Sequence, residues 1–201
     1  SDYENKITTL MTQAYSRQRK LSNDLYKIIG SKNYSEQEYT EKRNQLNGVH
    51  ATYEALKTQI ENSGKNIDTN SLISEIEKSS NIDRNNILGN LKESLSNQIS
   101  DFEGSLKYMK DNMSLPEGIN LLKEKLENAF TFKDGADNIG NFKDKMQDFY
   151  QTFDNLKGSS FIQFANEFGT AYDKLTKAEN SSDKVTAYTD KLNKFVDSYN
   201  N

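Results

Sequence analysis

The sequence predicts an all-α fold: an elongated antiparallel helical hairpin followed by a four- to five-helix bundle. Three observations carry this. Apolar residues recur three and four positions apart along most of the chain, the spacing that lines one face of a helix. No segment alternates apolar and polar residues with period two for long enough to propose a strand. Only 33% of the 201 residues are apolar, against 28% charged, and the mean hydropathy is -0.92. Even with the 10 glycines counted, the apolar share stays below the usual level of about 45–50%. A deep core is therefore not expected, whereas thin helices need one apolar stripe each.

The first stripe runs Tyr3, Ile7, Leu10, Ala14, Leu21, Leu25 and Ile28, and Gly30 supplies a helix stop. Ser35 and Glu38 then make a capping box, flanked by Tyr34 and Tyr39 at the staple positions. The second stripe is Tyr39, Leu46, Val49, Tyr53, Leu56 and Ile60, ended by Asn62, Ser63 and Gly64. Two helices of about 27 residues, about 40 Å each, joined by a short turn predict a hairpin. Between Lys65 and Asn81 the chain is rich in Ser and Asn, with Leu72, Ile73 and Ile76 marking one short helix.

Asp83 is placed to cap a long helix whose stripe is Leu88, Leu91, Leu95, Ile99, Phe102, Leu106, Met109 and Met113, close to a coiled-coil seam. Ser114, Leu115, Pro116 and Glu117 make a break and a fresh start, because proline suits a first helical turn and not an interior. Ile119, Leu122, Leu126, Ala129 and Phe130 follow. Gly135 to Gly140 reads as a loop. Next come Phe142, Met146, Phe149, Phe153 and Leu156, closed by Gly158, then Phe161, Phe164, Phe168, Tyr172 and Leu175. The last stripe is Val185, Tyr188, Leu192, Phe195 and Tyr199. Residues 1–64 thus read as the hairpin, 65–82 as a linker with room for a short helix, and 83–201 as the bundle. One continuous elongated bundle over 1–201 is the alternative reading.

Composition also excludes chemistries. Thirty acids against 26 bases give a formal charge of -4, which argues against a nucleic-acid partner. Absence of cysteine removes disulfides, thiol catalysis and thiolate metal sites. No stretch approaches the roughly 18–20 apolar residues of a transmembrane segment. Neither GxxxxGK[ST] nor GxGxxG occurs, so no nucleotide cofactor is expected. His50 is the single histidine; inside a helix beside Val49, Leu46 and Tyr53 it reads as a flank residue covering the hairpin seam. Counted from Asp134 as an EF-hand, the loop with Asp137 and Asn138 has Ile139 sixth and Lys145 twelfth, where glycine and glutamate are required. No catalytic, cofactor-binding or metal-binding residues are expected, and the chain does not read as an enzyme.

Arg17, Arg19 and Lys20 form a small basic cluster, either a docking patch or an ordinary solvated face. Phe142, Phe149, Phe153, Phe161, Phe164 and Phe168 read as core, or as a partly exposed groove for a partner helix. Tyr150, Tyr172 and Tyr188 extend these stripes, and tyrosine-rich faces suit protein recognition.

The expected function is a non-catalytic helical module that binds another protein, a host or envelope component. The alternative is a structural or oligomerising part of a secretion, conjugation or phage assembly, in which case the chain forms an oligomer. A chain free of Cys and rich in Lys and Asn is similar in composition to exported or surface proteins of low-GC bacteria, so a secreted or cell-surface location is expected. The chain opens on Ser1 with no signal h-region, so removal of an original start is expected as well.

Overall fold

The computed structural model describes residues 2–63, 68–78, 80–106, 115–135, 137–177 and 182–200. Among the described residues the chain is all-α, with seven helices and no strand. They are α1 (Asp2–Gly30), α2 (Glu36–Glu61), α3 (Thr69–Glu77), α4 (Ser80–Leu106), α5 (Leu115–Ala129), α6 (Asn138–Thr176) and α7 (Ser182–Asn200). Two compact units share them. The first is Ser1–Leu91 with Gly135–Lys143, and the second is Lys92–Asp134 with Asp144–Asn201.

In the first unit α1 and α2 form an antiparallel hairpin. Its cross-links run in opposite chain order, as that topology requires. Gln59 donates to the Tyr3 hydroxyl at 3.2 Å, the Tyr15 and Tyr53 rings lie 5.2 Å apart, and Lys42 meets Asp24 at 3.3 Å. Ile7, Met11, Leu21, Leu25, Tyr26 and Ile29 are buried on α1, facing buried Leu46, Tyr53 and Ile60 on α2. This corrects the expected first stripe. Leu10 is exposed, and Met11 and Ile29 are buried where Leu10 and Ile28 were expected to point inward. The reason is phase. Steps of four and three from Ile7 pass through Met11, Ala14, Gln18, Leu21, Leu25 and Ile29, so the seam accepts one polar residue, Gln18, rather than drift to Leu10.

The turn is built as the capping pattern predicts. Ser35 sits in extended backbone and its hydroxyl accepts the Glu38 N–H at 3.0 Å, while the Tyr34 and Tyr39 rings lie 6.3 Å apart. Gly30 has a different reason from the expected one. It is the last residue of α1, and the left-handed position belongs to Lys32 at φ 68°. A Cβ at Gly30 would stand 2.7 Å or less from both δ-carbons of Leu91 on α4, so glycine is there for close approach. α3 is capped by Asp68, whose carboxylate accepts from the Ser71 N–H and hydroxyl. Its Leu72, Ile73 and Ile76 pack on the cluster of Ile7, Met11, Tyr53 and Ile60. At the start of α6, Lys143 binds Glu36 at 2.7 Å and lies 4.3 Å from the Tyr39 ring centre, and Phe142 packs on Tyr26 at 5.4 Å.

The second unit gathers α4 from Lys92, α5, α6 from Asp144, and α7. Its interior takes Leu95, Ile99 and Phe102 from α4; Leu115, Ile119, Leu122, Leu126 and Ala129 from α5; Met146, Phe149, Phe153 and Phe164 from α6; and Phe195 from α7. Pro116 stands in the first turn of α5, as its chemistry requires. Gly118 admits Leu156, whose δ-carbon would lie 2.7 Å from a Cβ there. Surface ion pairs Lys92–Glu127, Lys123–Glu103 and Lys125–Asp148 join α4, α5 and α6 at 2.9, 3.2 and 2.8 Å.

Three expected boundaries are corrected. Gly158 does not close a helix: α6 runs unbroken for 39 residues. Its inward positions Phe149, Phe153, Leu156, Ser160 and Phe164 stay in helical phase through the glycine, and the buried Ser160 hydroxyl is satisfied by the Leu156 carbonyl at 2.7 Å. Asp83 is not the N-cap of α4, which starts at Ser80; it lies in the first turn, where a carboxylate suits the positive helix end. Gly140 is helical, so the loop ends at Asp137, and of these two glycines it is Gly135 whose backbone favours glycine, at φ 74°. Gly64, Lys65, Met109, Met113 and Ser114, and the side chains of Asn81 and Leu175, lie outside the described residues.

Two predictions follow from this packing. Gly48→Ala, where a Cβ meets open space, raises stability in urea unfolding by about 0.5–1 kcal/mol through helix propensity; Gly30→Ala lowers it, because Leu91 must move. The second concerns alkali. The Glu36 hydrogen bond raises the Lys143 pKa above its ordinary 10.5, and burial raises the Tyr26 phenol above 10.0. Both groups keep their protons to higher pH folded than unfolded. The stability they add is thus complete below pH 10.0 and falls as pH rises through the folded values. The urea midpoint is expected to stay level between about pH 7 and 9 and to drop above about 10, with a smaller drop in Lys143→Met.

Candidate functional site

The second half of α6 and α7 pair through aromatic rings. Phe164 stacks on Phe195 with centroids 4.4 Å apart and planes 10° from parallel, and both are buried. Phe161 lies 6.0 Å from Phe195 and 5.0 Å from Tyr199, and Phe168 meets Tyr188 edge-on at 6.0 Å. Lys157 stands over the Phe153 and Tyr199 rings at 5.1 and 5.8 Å, and Lys191 over Tyr188 at 5.4 Å. Positions 161, 164 and 168 are thus occupied in holding α7.

A second stripe on α6 faces solvent. Gly158, Ile162, Ala165, Gly169 and Tyr172 are spaced four, three, four and three, the repeat of a coiled-coil seam. Ile162 is 63% exposed and Tyr172 39%, while Ala165 and Gly169 are exposed and Gly158 is half-buried. A Cβ at either glycine would meet nothing within 4 Å. The stripe therefore presents a flat, small-residue track with an aliphatic knob at one end and an aromatic one at the other. Small residues let a second helix backbone come close, and an isoleucine left in water forfeits about 1.5–3 kcal/mol of burial.

Of the residues singled out in the sequence, Tyr172 belongs to this stripe and stacks on Phe168 at 5.9 Å. Tyr188 joins the same ring cluster from α7. Tyr150 is half-buried and packs edge-on against Phe149, away from them in the chain. The basic residues divide: Arg17 and Lys20 are exposed, whereas Arg19 turns to Asp83 at 3.8 Å. They belong to the first unit and do not converge as one patch, because Arg19 lies two residues from Arg17, on another side of the helix. His50 bridges the hairpin, its Nδ1–H donating to Gln18 Oε1 at 3.0 Å, which is the seam-covering role expected of it. Asp137 accepts from the Ile139 N–H at 3.1 Å and pairs with Arg43. Among the described residues no three His, Asp or Glu side chains converge as metal ligands, and no helix is long and apolar enough to cross a membrane.

Ile162, Ala165 and Gly169 are missing from the sequence reading, in which Gly158 figures only as a helix stop. Their signal is the four–three spacing, which becomes visible once α6 is continuous through Gly158. No protein-family model, curated protein or solved structure matches this chain.

The two stripes differ in what they cost to remove. Phe195→Ala is expected to destabilise the protein by about 3–5 kcal/mol, and Tyr172→Ala by less, about 0.5–1.5 kcal/mol for its lost stacking on Phe168, in paired urea-unfolding measurements.

Proposed function

We propose that this chain is a non-catalytic helical module that binds another protein through the solvent-facing stripe of α6. The observation that carries the reading is the exposed seam from Gly158 to Tyr172, spaced at four and three, with Ile162 63% exposed. Soluble proteins scatter single apolar residues over their surfaces without consequence. A run of five small or apolar positions in coiled-coil phase is a prepared helix-docking track, on which the partner supplies the missing stripe. Tyr172 and Tyr188 add amphipathic contact area at low entropic cost. A host or envelope protein met outside the cytoplasm suits a chain free of thiols and rich in lysine and asparagine.

The same seam also fits a second copy of the chain, which is the arrangement an oligomerising part of a larger assembly would use. Native mass spectrometry separates the two: a monomer supports the docking module, and a multimer lost in the Ile162→Glu variant supports the assembly component.

The experiment is a titrated capture from host and envelope extracts with wild type and Ile162→Glu. The exposed position leaves the fold intact, checked by circular dichroism. A saturable partner bound roughly 30-fold more weakly by the variant, the effect of losing about 2 kcal/mol at an interface centre, is expected. No saturable partner, or equal capture by the variant, overturns the reading.

A further inference from the structure

The first unit contains a cleft of about 420 Å³ whose walls come from α1, α2, the first turns of α4 and the loop that leads into α6. Tyr26, Arg43, Asn47, His50, Arg84 and Asp137 line it. Arg43 and Arg84 face one carboxylate, Asp137, and that carboxylate is already committed twice: one oxygen accepts the Ile139 N–H and the other pairs with Arg43. The lining therefore keeps one uncompensated positive charge.

Arg84 is the group left without compensation. Its Nε is shielded from solvent and has no hydrogen-bond partner. A buried guanidinium N–H without an acceptor carries its full desolvation penalty, and such groups ask for an explanation when a fold keeps them. Both guanidiniums are also close enough to Tyr26 to pull its phenol pKa down against the upward push of burial. The phenol keeps its proton at neutral pH, so it adds no negative charge to the cleft. Two guanidiniums and the nearby start of α6 favour a negatively charged oxygen.

The ligand class follows from what the rest of the cleft offers. Its volume exceeds what a lone tetrahedral ion fills and lies in the range of small-molecule sites, about 300–1,000 Å³. Asn47 and Ser22 provide an amide and a hydroxyl, which exchange hydrogen bonds with hydroxyl groups. Leu46 and Ile139 provide a small apolar floor. We infer that this cleft binds a small phosphorylated polyol, such as a sugar phosphate, with the phosphate held by Arg84 and Arg43 and the hydroxyls by Asn47 and Ser22.

The test uses the full chain labelled with ¹⁵N, and titrates glucose 6-phosphate, inorganic phosphate, glucose and succinate while following the Arg84 Nε–H and Gly135 amide resonances. Glucose 6-phosphate is expected to move both signals saturably and more tightly than inorganic phosphate, and uncharged glucose to leave them in place. Arg84→Gln weakens binding at least tenfold. Asn47→Asp, an exposed change that adds a carboxylate to the wall without touching the core, does the same and guards against misfolding of the first variant. Silence of both resonances with every phosphate, equal affinity for succinate, or unchanged affinity in a folded Asn47→Asp and Arg84→Gln pair overturns the inference.

Discussion

The described helices of this protein are built on apolar stripes, and a stripe gains its burial only where another helix covers it. That constraint comes from composition. With a third of its residues apolar, the chain lacks material for a layered core, so burial is linear: seams such as Ile7–Met11–Leu21–Leu25–Ile29 against Leu46–Tyr53–Ile60 do the work of an interior. A fully buried residue of this size stabilises by about 1.5–3 kcal/mol, so the phase of a seam matters more than any single member of it. Phase explains why Gln18 is tolerated in the hairpin seam while Leu10 is left in water. Turning the helix to bury Leu10 would expose several residues to save one.

The same logic shapes α6. One face, through Phe149, Phe153, Phe164 and Phe168, belongs to the second unit's interior and to α7. The adjacent face, from Gly158 to Tyr172, has the spacing of a seam and, among the described residues, no helix laid across it. A helix with two stripes in sequence and one partner in the fold is the structural basis of the docking proposal. Gly158 and Ser159 keep that part of α6 slim on its outward side, while the inward Ser160 hydroxyl returns its hydrogen bond to the helix itself.

Polar groups are used differently in the two units. In the second, lysines and acids tie neighbouring helices at the surface, where such pairs are worth about 0–1 kcal/mol each. In the first, arginines reach inward. Arg43 and Arg84 meet near Tyr26, and the carboxylate that balances one of them is also spent on the α6 N-terminus. An ion pair at a surface adds modest stability; a shielded guanidinium N–H without an acceptor adds none by itself. That contrast separates the cleft from the other charge pairs and is the basis of the ligand proposed for it.

Much of this was legible in the amino-acid order. Helical periodicity, the Ser35 cap, the short helix around Leu72, and Pro116 at a helix start are all local, written by spacing and backbone chemistry over a few residues. The fold class followed from them, as did His50 as a seam residue. What periodicity left open was decided by contacts distant in sequence. Gly30 looked like a stop signal and is a clearance for Leu91, sixty-one positions on. Gly158 looked like another and is a helix interior, because the stripes on either side of it remain in register with the same neighbours. Arg43, Arg84 and Asp137 carry no common motif; three separate segments bring them together. Local propensity is encoded residue by residue, whereas the meeting of charges and the covering of a stripe depend on which helices pack, and that is settled only in three dimensions.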